Sequence, residues 1–445
     1  MNIKNKRITV IGFGQSGRDA SLLIESNGGS VFISNDSRPA GSDMALIEKY
    51  GWQYETSHTD RALNCDMIVV SPGIEWDLPL IEKALNSDIR VIPEIELAYG
   101  FIAKPVTGIT GTNGKSTTAY LIYQILTSTG IRPRIGGNIS PGKSLSGIAL
   151  KSPDSYDHVV CELSSFQLEH IDAFRCNTSV LTNISEDHLN RHKTIENYAN
   201  SKMNIFSNQM PGDRAVVNSD SINIAGITTE ADIITVSGKD TEADILLNDK
   251  SFTVKSSGEK VSMEAFLLPG KHNRFNLVQA IAAVFGLDID KETVETIIPS
   301  LKGMPHRMEY VDTINSVRIY NNSMCTNPVA FRRSLEIFTE DQTVIVGGRN
   351  KDFNIEMIVD SIISFTDNII LIGESTSVMH EMLETRNYHG SIFPADSLQE
   401  AVVTAVNNTP EGGVINFSPG FASFDMFSNF RQRGDLFKQY VRELK

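Results

Sequence analysis

The stretch Val106-Thr-Gly-Ile-Thr-Gly-Thr-Asn-Gly-Lys-Ser-Thr-Thr118 leads from an apolar run, through a glycine-rich turn, into the apolar segment Ala119–Leu126. A strand, a glycine turn and a helix that begins with Lys-Ser-Thr are typical of a loop that binds a nucleoside triphosphate. Backbone N–H groups and the helix N-terminus would surround the phosphates, and Lys115 would reach the outer ones. Ser116 or Thr117 would offer a hydroxyl to Mg²⁺. The stretch therefore predicts a site for ATP or GTP.

The stretch departs at one position from the strict pattern G-x-x-x-x-G-K-[ST], because Ile109 stands where the first glycine would be. The alternative interpretation is a Gly-Ser loop before a surface helix. The strand before the turn, the helix after it and the Lys-Ser-Thr together favour the nucleotide site. We expect the triphosphate to be bound by the turn and the first helical residues: Gly111, Thr112, Asn113, Gly114, Lys115, Ser116 and Thr117.

Length and charge limit the classes of protein to consider. A chain of 445 residues exceeds one ordinary hydrophobic core, and the length favours about three domains. The formal net charge of −14 argues against a nucleic-acid or anionic-membrane partner. No apolar run approaches the roughly 18 residues of a membrane-spanning helix. We expect a cytoplasmic protein that acts as a monomer, without nucleic-acid or membrane partners.

Residues 1–98 alternate short apolar runs with helical stretches, which favours a parallel sheet in a Rossmann-like domain. The first turn, Gly12-Phe-Gly-Gln-Ser-Gly17, has the G-x-G-x-x-G spacing, and Asp36 follows at about the distance of a ribose-binding acid. A second turn, Ser71-Pro-Gly73, would bring further N–H groups to the same crevice. The crevice suits a diphosphate, although a lone G-x-G-x-x-G leaves open which nucleotide carries it. Residues 93–105 are expected to form a connector.

Residues 99–303 form the predicted central domain, of P-loop ATPase type. Two of its apolar runs, His158–Cys161 and Ser179–Leu181, end in polar residues that include Glu162 and His188. Since ligands of open α/β sheets bind at the carboxyl ends of strands, both side chains are expected near the phosphate loop. Residues 304–445 repeat the alternation and predict a second Rossmann-like domain. The predicted fold is therefore α/β, with three domains that each contain an open sheet and helices.

A series of motifs runs along nearly the whole chain. In order they are Gly111-Thr-Asn-Gly-Lys-Ser-Thr117, Glu162-Leu-Ser-Ser-Phe-Gln-Leu168, Asn183 with Asp187-His188, Tyr198-x-x-x-Lys202, His272-Asn273-x-x-Asn276, Pro305-His-Arg307 and Ser418-Pro-Gly-Phe-Ala-Ser-Phe-Asp425. Together these motifs resemble the Mur ligases. The resemblance implies an ATP-dependent, ADP-forming amide ligase of peptidoglycan precursor synthesis. Its substrates would be UDP-N-acetylmuramoyl-L-alanine, D-glutamate and ATP, and the first domain would bind UDP instead of NAD. A carboxylate of the UDP substrate would attack the γ-phosphate, and the amine would then displace phosphate from the acyl phosphate.

The resemblance also implies two Mg²⁺ ions. One would lie between the phosphates, Ser116 or Thr117, and Glu162. The second would be bound by His188 and a carbamylated Lys202, because a carbamate is an anionic oxygen ligand of the kind that magnesium prefers. Without the resemblance, Lys202 would be read as an ordinary helix lysine. A zinc site at His188 and His192 is disfavoured, since no third soft ligand is in view.

By the same resemblance, Lys115, His188, Lys202 and Arg307 would be the catalytic residues, and Asn273 and Asn276 would face the adenine. The UDP substrate would be bound by the side chains and turns at the first sheet, by a residue after Gly136-Gly137 and by the metal-site histidine: Gln15, Ser16, Ser37, Arg38, Ser71, Gly73, Asn138 and His188. The amino acid would be bound in the last domain by Thr326, Lys351, Ser423 and Phe430. An acidic amino acid needs such cations and donors, because an unpaired carboxylate is costly to desolvate.

One loop differs from the usual Mur ligase pattern Asn-Asp-Ser-Lys-Ala-Thr-Asn, since it reads Asn321-Asn-Ser-Met-Cys-Thr-Asn327. Asn322 would replace the aspartate that binds the ATP ribose, at a cost of about 1 kcal/mol. Met324 would replace a lysine, and such a positioned cation is worth about 3 kcal/mol in a transition state. Neighbouring cations would compensate: Lys351, Arg307 or Arg349. The alternatives are a related ligase for another amino acid such as L-glutamate, a paralogue that binds nucleotide without catalysis, and, on the first turn alone, an NAD-dependent oxidoreductase.

Overall fold

A computed structural model describes residues 1–139, 142–351 and 353–444. The chain forms two compact units, one of Met1–Glu264 with Arg274–Ile298 and one of Ala265–Asn273 with Pro299–Lys445. Three open sheets with intervening helices lie in these units, two in the first and one in the second. This architecture confirms the predicted α/β class. The proposed domain boundaries at residues 98 and 303 stay a prediction.

The first sheet has five parallel strands in the order β3-β2-β1-β4-β5. Its elements are β1 (Arg7–Ile11), α1 (Gln15–Ser26), β2 (Ser30–Ser34), α2 (Gly41–Tyr50), β3 (Gln53–Glu55), β4 (Met67–Val70), α3 (Pro79–Asn86), β5 (Arg90–Pro93) and α4 (Glu94–Tyr99). Nearly all residues of β1 and β4 are buried, which is expected of a parallel sheet with helices on both faces. The strand order reverses at β1, so the turn after β1 lies at the switch point where such sheets bind ligands.

Residues 94–99 of the predicted connector form the helix α4, which was not expected from the sequence. Two glutamates gave this segment a polar sequence, but both carboxylates are buried as hydrogen-bond acceptors. Oε1 of Glu94 accepts from the N–H of Ser146 at 2.7 Å. Oε1 of Glu96 accepts from the N–H groups of Asp172 and Phe174. The helix therefore joins the two sheets of the first unit through its carboxylates as well as its apolar face.

Glu94 makes the stability of the first unit depend on pH. Burial raises its pKa from the ordinary 4.5 to about 7. Between about pH 4.5 and about pH 7, the folded chain therefore holds a proton on Glu94 that the unfolded chain releases. The contribution of this proton to the free energy of unfolding is lost as the pH rises through this range. We compare the free energy of unfolding of Glu94→Gln with that of the unmodified protein. We expect the difference to shift in favour of the variant by about 2 kcal/mol from about pH 5.5 to about pH 8. Urea unfolding followed by tryptophan fluorescence measures this, since Trp52 and Trp76 both lie in the first unit. Equal pH dependence of the two proteins would contradict the assignment.

The second sheet has nine strands in the order β14-β13-β12-β11-β10-β9-β6-β8-β7. Its segment of the chain contains β6 (Val106–Thr110), α5 (Lys115–Ser128), β7 (Pro133–Gly137), α6 (Leu145–Ala149), β8 (His158–Glu162), α7 (Ser165–Leu168), β9 (Thr178–Leu181), α8 (Leu189–His192), α9 (Ile195–Met203), β10 (Arg214–Asn218), β11 (Asp232–Ser237), β12 (Ile245–Leu247), β13 (Ser251–Val254), β14 (Lys260–Ser262), α10 (Lys271–Phe285) and α11 (Lys291–Ile297). β12, β13 and β14 pair antiparallel, and the other pairs are parallel. The central β6 lies between β8 and β9, so the carboxyl ends of these three strands meet.

The third sheet, in the second unit, has the order β15-β16-β20-β17-β18-β19. Its elements are β15 (Glu309–Ile314), β16 (Val317–Asn321), α12 (Pro328–Leu335), β17 (Gln342–Gly347), α13 (Glu356–Phe365), β18 (Asn368–Ile372), α14 (Thr376–Thr385), β19 (Ser391–Ala395), α15 (Leu398–Asn408), β20 (Val414–Phe417) and α16 (Phe430–Glu443). Only β15 pairs antiparallel. Among the described residues, no helix combines the length and the apolar character needed to cross a membrane.

Candidate active site

The predicted phosphate loop connects β6 to α5. Gly111 and Gly114 have φ angles of 141° and 84°, which favour glycine. A Cβ at Gly111 would lie 2.0 Å from Oγ1 of Thr182, and a Cβ at Gly114 would lie 2.4 Å from Oδ1 of Asn276. The backbone shape and the surrounding side chains therefore both require glycine at these two positions.

The N-terminus of α5 is suited to an anion. Its N-cap residue is Gly114, no side chain caps it, and its first turn contains no acidic residue. The first N–H groups of a helix lack intrahelical partners and carry a partial positive charge. Nζ of Lys115 donates to the carbonyl oxygens of Gly111 and Thr112, each at 2.9 Å, and thus lies over the loop. The ammonium and the helix start face the same small region.

Residues after β9 hold the loop in this shape. The N–H of Thr112 donates to the carbonyl of Asn183 at 2.9 Å, and the N–H of Asn113 donates to the Asn183 side chain at 3.0 Å. The hydroxyl of Thr112 donates to the carbonyl of Ser185 at 3.1 Å. These hydrogen bonds join the loop to the segment after β9 and fix its conformation.

Ser116 lies in contact with Glu162, and the resemblance implies both as ligands of one magnesium site. Oγ of Ser116 donates to Oε2 of Glu162 at 2.6 Å, and the other oxygen of Glu162 accepts from Nδ2 of Asn138 at 3.2 Å. Glu162 is buried at the end of β8, whereas Thr117 is half-buried on α5. A hydroxyl and a carboxylate side by side form a hard oxygen donor set that fits Mg²⁺.

Lys202, on α9, points from the other side toward the phosphate loop. Its side chain is only 1% exposed, and Nζ donates to the carbonyl of Gly111 at 2.8 Å. Nζ also lies 4.5 Å from the ring centroid of Tyr198. Burial, and then the nearby Lys115 ammonium, lower the pKa of Lys202 to about 7. An ammonium is thus disfavoured here by both desolvation and charge repulsion.

His188 is the N-cap residue of α8 and has a left-handed φ of 51°. Its ring is half exposed, lies 5.0 Å from the Phe166 ring, and has Nε2 3.7 Å from Asp187. Within the described residues, no group of three or more His, Cys, Asp and Glu side chains could hold a metal ion. The proposed magnesium ligands include hydroxyl, phosphate and carbamate oxygens, which such a group does not contain.

His192 is occupied by contacts with neighbouring side chains. Its Nε2 lies 2.9 Å from Oγ of Ser165, and its Nδ1 lies 3.3 Å from Glu169. Its ring stacks on Phe166, with centroids 5.5 Å apart. The sequence did not reveal that Phe166 and Tyr198 lie beside His188, because aromatic residues in these motifs look like ordinary core positions.

Each glycine of the G-x-G-x-x-G turn in the first sheet meets a different structural requirement. Gly12 has a φ of 83°, and a Cβ at Gly14 would meet nothing within 4 Å, so a ligand can approach the backbone there. A Cβ at Gly17 would lie 2.0 Å from the carbonyl oxygen of Gly12. Oγ of Ser71 donates to that same carbonyl at 2.8 Å, which joins the two predicted turns. This arrangement matches the phosphate-binding turn of Rossmann-like sheets.

Five of the other residues predicted for the UDP substrate lie around this turn, whereas Asn138 and His188 belong to the segment of the second sheet. Nε2 of Gln15 donates to the carbonyl of Gly142 at 3.1 Å, and Ser16 is half-buried at the start of α1. Ser37, Arg38 and Gly73 are exposed in the loops after β2 and β4. The structure therefore places them at one edge of the first sheet.

The two predicted adenine residues lie at the start of α10 and are largely buried. Nδ2 of Asn273 donates to the carbonyl of Pro269 at 2.7 Å. Asn276 lies against the phosphate loop at Gly114. Asn276 is therefore placed beside the phosphate loop, and the contact of both residues with adenine stays a prediction.

In the second unit, Asn322 and Thr326 lie in the loop after β16 and Ser423 in the loop after β20, whereas Arg307 precedes β15 and Lys351 follows β17. Asn322 is 7% exposed; its Nδ2 donates to Ser418, and its Oδ1 accepts from the N–H of Met308. Thus its amide supports the loop in this conformation. Arg307 is exposed, whereas the neighbouring His306 is buried, with Nδ1 3.1 Å from Nδ2 of Asn321.

The four residues predicted for the amino acid also lie in this unit. Thr326 and Phe430 are half-buried, Ser423 is buried and Lys351 is exposed, with Nζ 5.4 Å from the Phe424 ring centroid. The sequence did not single out the role of the buried Arg433. Its guanidinium donates to the carbonyls of Ser323 and Phe421 and so joins the loops that carry Thr326 and Ser423. Its place in the motif Asn429-Phe-x-x-Arg433-Gly was the available signal.

Comparison with known proteins agrees with this geometry. Residues 109–284 match the Mur ligase middle domain, and residues 7–79 match the MurD N-terminal domain. The UDP-N-acetylmuramoylalanine–D-glutamate ligase of Geobacter sp. strain M21 is 35% identical over 451 residues, which cover 99% of this chain and 98% of that protein. The ligase of the same name from Geotalea uraniireducens is 35% identical over 456 residues, covering 100% and 99%.

The fold is also that of a solved Mur ligase. The MurF ligase from Thermotoga maritima in complex with ADP is 15% identical, with a TM-score of 0.56, and the match covers 100% of this chain and 96% of that one. At this identity the likeness concerns the fold alone. Together with the full-length similarity to the D-glutamate ligases, it shows that this chain belongs to the Mur ligase family.

Proposed function

We propose that this chain is the ATP-dependent, ADP-forming ligase that joins D-glutamate to UDP-N-acetylmuramoyl-L-alanine in peptidoglycan precursor synthesis. The observation that carries the proposal is the phosphate loop between β6 and α5, where Lys115, the Ser116–Glu162 pair and Lys202 converge. The relatives of the same name supply the identity of the amino acid.

The chemistry has two steps. An oxygen of the alanyl carboxylate attacks the γ-phosphorus of ATP, ADP leaves, and an acyl phosphate forms. The glutamate nitrogen then attacks the carbonyl carbon and loses a proton, and phosphate leaves with one carboxylate oxygen. Such a reaction requires mainly positioning and neutralisation of phosphate charge. Lys115 and the start of α5 supply this charge within the first unit, and the exposed Arg307 would add a second cation.

The oxygen ligands fit two Mg²⁺ ions, which would neutralise phosphate charge and orient the reacting oxygens when bound. Ser116 or Thr117 with Glu162 would hold the first ion. His188 and a carbamylated Lys202 would hold the second. The burial of Lys202 beside Lys115 supports a carbamate, because it replaces a buried cation with an anion that a cation can pair with.

Each of the three sheets would bind a different substrate. The turn at Gly12–Gly17 with Ser71 would bind UDP, and Asn138 and His188 would bind the acyl end of the sugar substrate. The phosphate loop with Asn276 would bind ATP. Thr326, Lys351 and Ser423 would bind the carboxylates of glutamate. Because ATP and a UDP-linked sugar are cytoplasmic metabolites, the ligase would act in the cytoplasm, and we expect it to be a monomer.

The substrate assignment is tested by phosphate release from ATP with UDP-N-acetylmuramoyl-L-alanine and one amino acid at a time. We expect release with D-glutamate and only background with L-glutamate and D-aspartate. Release with L-glutamate alone would favour the related ligase that Met324 suggests. No release with any of the three would favour the non-catalytic paralogue. NADH binding would instead support an oxidoreductase.

A further inference from the structure

The loop after β2, at the carboxyl edge of the first sheet, is held in place from two directions. Oδ1 of Asn35 accepts from the N–H of Phe13 in the glycine turn at 3.0 Å, and its Nδ2 donates to the carbonyl of Ser37 at 2.9 Å. The next residue, Asp36, has a side chain that is 76% exposed. Its Oδ1 lies 2.5 Å from Nε2 of His58. An exposed carboxylate thus has a fixed position beside the switch point of the sheet.

The His58 ring is itself anchored on its inner side. The ring is 10% exposed, and its Nδ1 lies 2.7 Å from Oγ of the buried Ser34. Ser34 lies 2.9 Å from Oε1 of Glu55. Glu55 also accepts from the N–H and the hydroxyl of Thr59. A chain of contacts therefore runs from the buried Glu55, through Ser34 and His58, to Asp36 at the surface.

The hydrogen atoms available in this series of contacts determine the role of Nε2 of His58. Ser34 has a single hydroxyl hydrogen, which is donated either to Glu55 or to Nδ1 of His58. In either case the oxygens of an Asp36 carboxylate can only accept, so the ring nitrogen that faces them is the donor. In both cases Nε2–H faces the carboxylate of Asp36 and donates to it. The second oxygen of Asp36 is left for a ligand that donates hydrogen bonds.

The backbone of His58 supports a positioning role. Its φ is 48°, a left-handed conformation that is unusual for residues other than glycine and that persists when the surroundings fix it. The ring reaches Asp36 from β3 and the loop after it, whereas Asp36 follows β2. The contact therefore joins two adjacent strand ends at the edge where the predicted UDP residues Ser37 and Arg38 lie.

We propose that His58 is a positioning residue for the nucleoside end of the UDP substrate. It holds the Asp36 carboxylate in the orientation that accepts hydrogen bonds from ribose hydroxyls or the N–H of the base. This inference rests on the proposed function, because it assumes that the first sheet binds a uridine nucleotide. His58 acts through Asp36 and does not itself contact the reacting groups.

Two neutral substitutions of His58 test the contacts of its two ring nitrogens separately. Glutamine is long enough to place an amide N–H near the position of Nε2, facing Asp36. Asparagine reaches only the position of Nδ1, facing Ser34, and it tolerates the left-handed backbone well. We expect His58→Asn to weaken the binding of UDP to the full chain about tenfold and to raise the KM for the UDP sugar similarly. His58→Gln should stay within about threefold of the unmodified protein. kcat and the KM values for ATP and D-glutamate should not change.

The measurements are calorimetry with UDP as the probe and steady-state kinetics, with His389→Gln as the control because His389 is exposed in the second unit. In an Asp36→Asn background, His58→Asn should have no further effect, since the ring acts through that carboxylate. Equal UDP affinity of His58→Asn and the unmodified protein would overturn the inference and leave the proposed function intact. Equal losses in both His58 variants would also overturn it, because they would indicate a purely structural role. Failure of the unmodified protein to bind UDP would refute the inference together with the proposed role of the first sheet.

Discussion

Replacement of Lys115 by methionine is expected to lower kcat by about 10²- to 10³-fold. Methionine keeps the length and the apolar stem of the side chain but removes the ammonium that lies over the carbonyls of Gly111 and Thr112. Phosphoryl transfer depends on such cations, because charge on the γ-phosphate oxygens must be neutralised as the bond to ADP breaks. Steady-state kinetics at saturating ATP measure the change in kcat.

The control for this prediction is Lys260→Met, which removes an exposed lysine from β14. We expect the control to keep full activity and both variants to melt within a few degrees of the unmodified protein. A Lys115→Met enzyme with kcat within about threefold of normal would contradict the role of Lys115 as a transition-state cation.

The second large effect is expected at Lys202. Lys202→Arg keeps a cation but cannot carry a carbamate, and we expect kcat to fall about a hundredfold or more. The reason is that a buried guanidinium would repel Mg²⁺ where the carbamate would bind it. Lys202→Ala should be similarly impaired, but it leaves space in the buried site next to Gly111. Acetate should therefore partly restore the activity of Lys202→Ala and should not restore that of Lys202→Arg.

A spectroscopic measurement separates the carbamate from a loss of fold. With ¹³C-labelled bicarbonate, we expect a protein-bound carbamate signal in the unmodified protein and none in Lys202→Arg. Full activity of Lys202→Arg, or an active enzyme without the signal and without any dependence on bicarbonate, would refute carbamylation.

The sequence predicted the three alternating sheets because their strands are short apolar runs separated by amphipathic helices. It did not predict β3, since Gln53–Glu55 is short and polar. It did not predict α4, because buried glutamates and surface glutamates look alike in a sequence. Their burial depends on N–H groups of Ser146, Asp172 and Phe174, which only the fold brings near.

The candidate site, like the fold, has some features that the sequence predicted and others that it did not. The loop Gly111–Lys115 was predictable as a motif from its glycines and from the helix after it, whereas its bonds to Asn183 and Ser185 depend on the fold. Glu162 was expected near the phosphate loop because it ends a strand of the same sheet, and its contact with Ser116 agrees with that placement. The contact between Asp36 and His58 was not predictable, because it joins the ends of two strands and no motif in the sequence relates the two residues. The buried Arg433 likewise contacts Ser323, which lies far away in the sequence.

The central claim is that this chain transfers a phosphoryl group from ATP to a substrate carboxylate before the amide forms. The most direct test uses UDP-N-acetylmuramoyl-L-alanine with ¹⁸O in the alanyl carboxylate, together with ATP and D-glutamate. We predict that each phosphate released carries one carboxylate oxygen, because the acyl phosphate breaks at its carbon–oxygen bond. Amide product accompanied by phosphate without ¹⁸O would contradict the account.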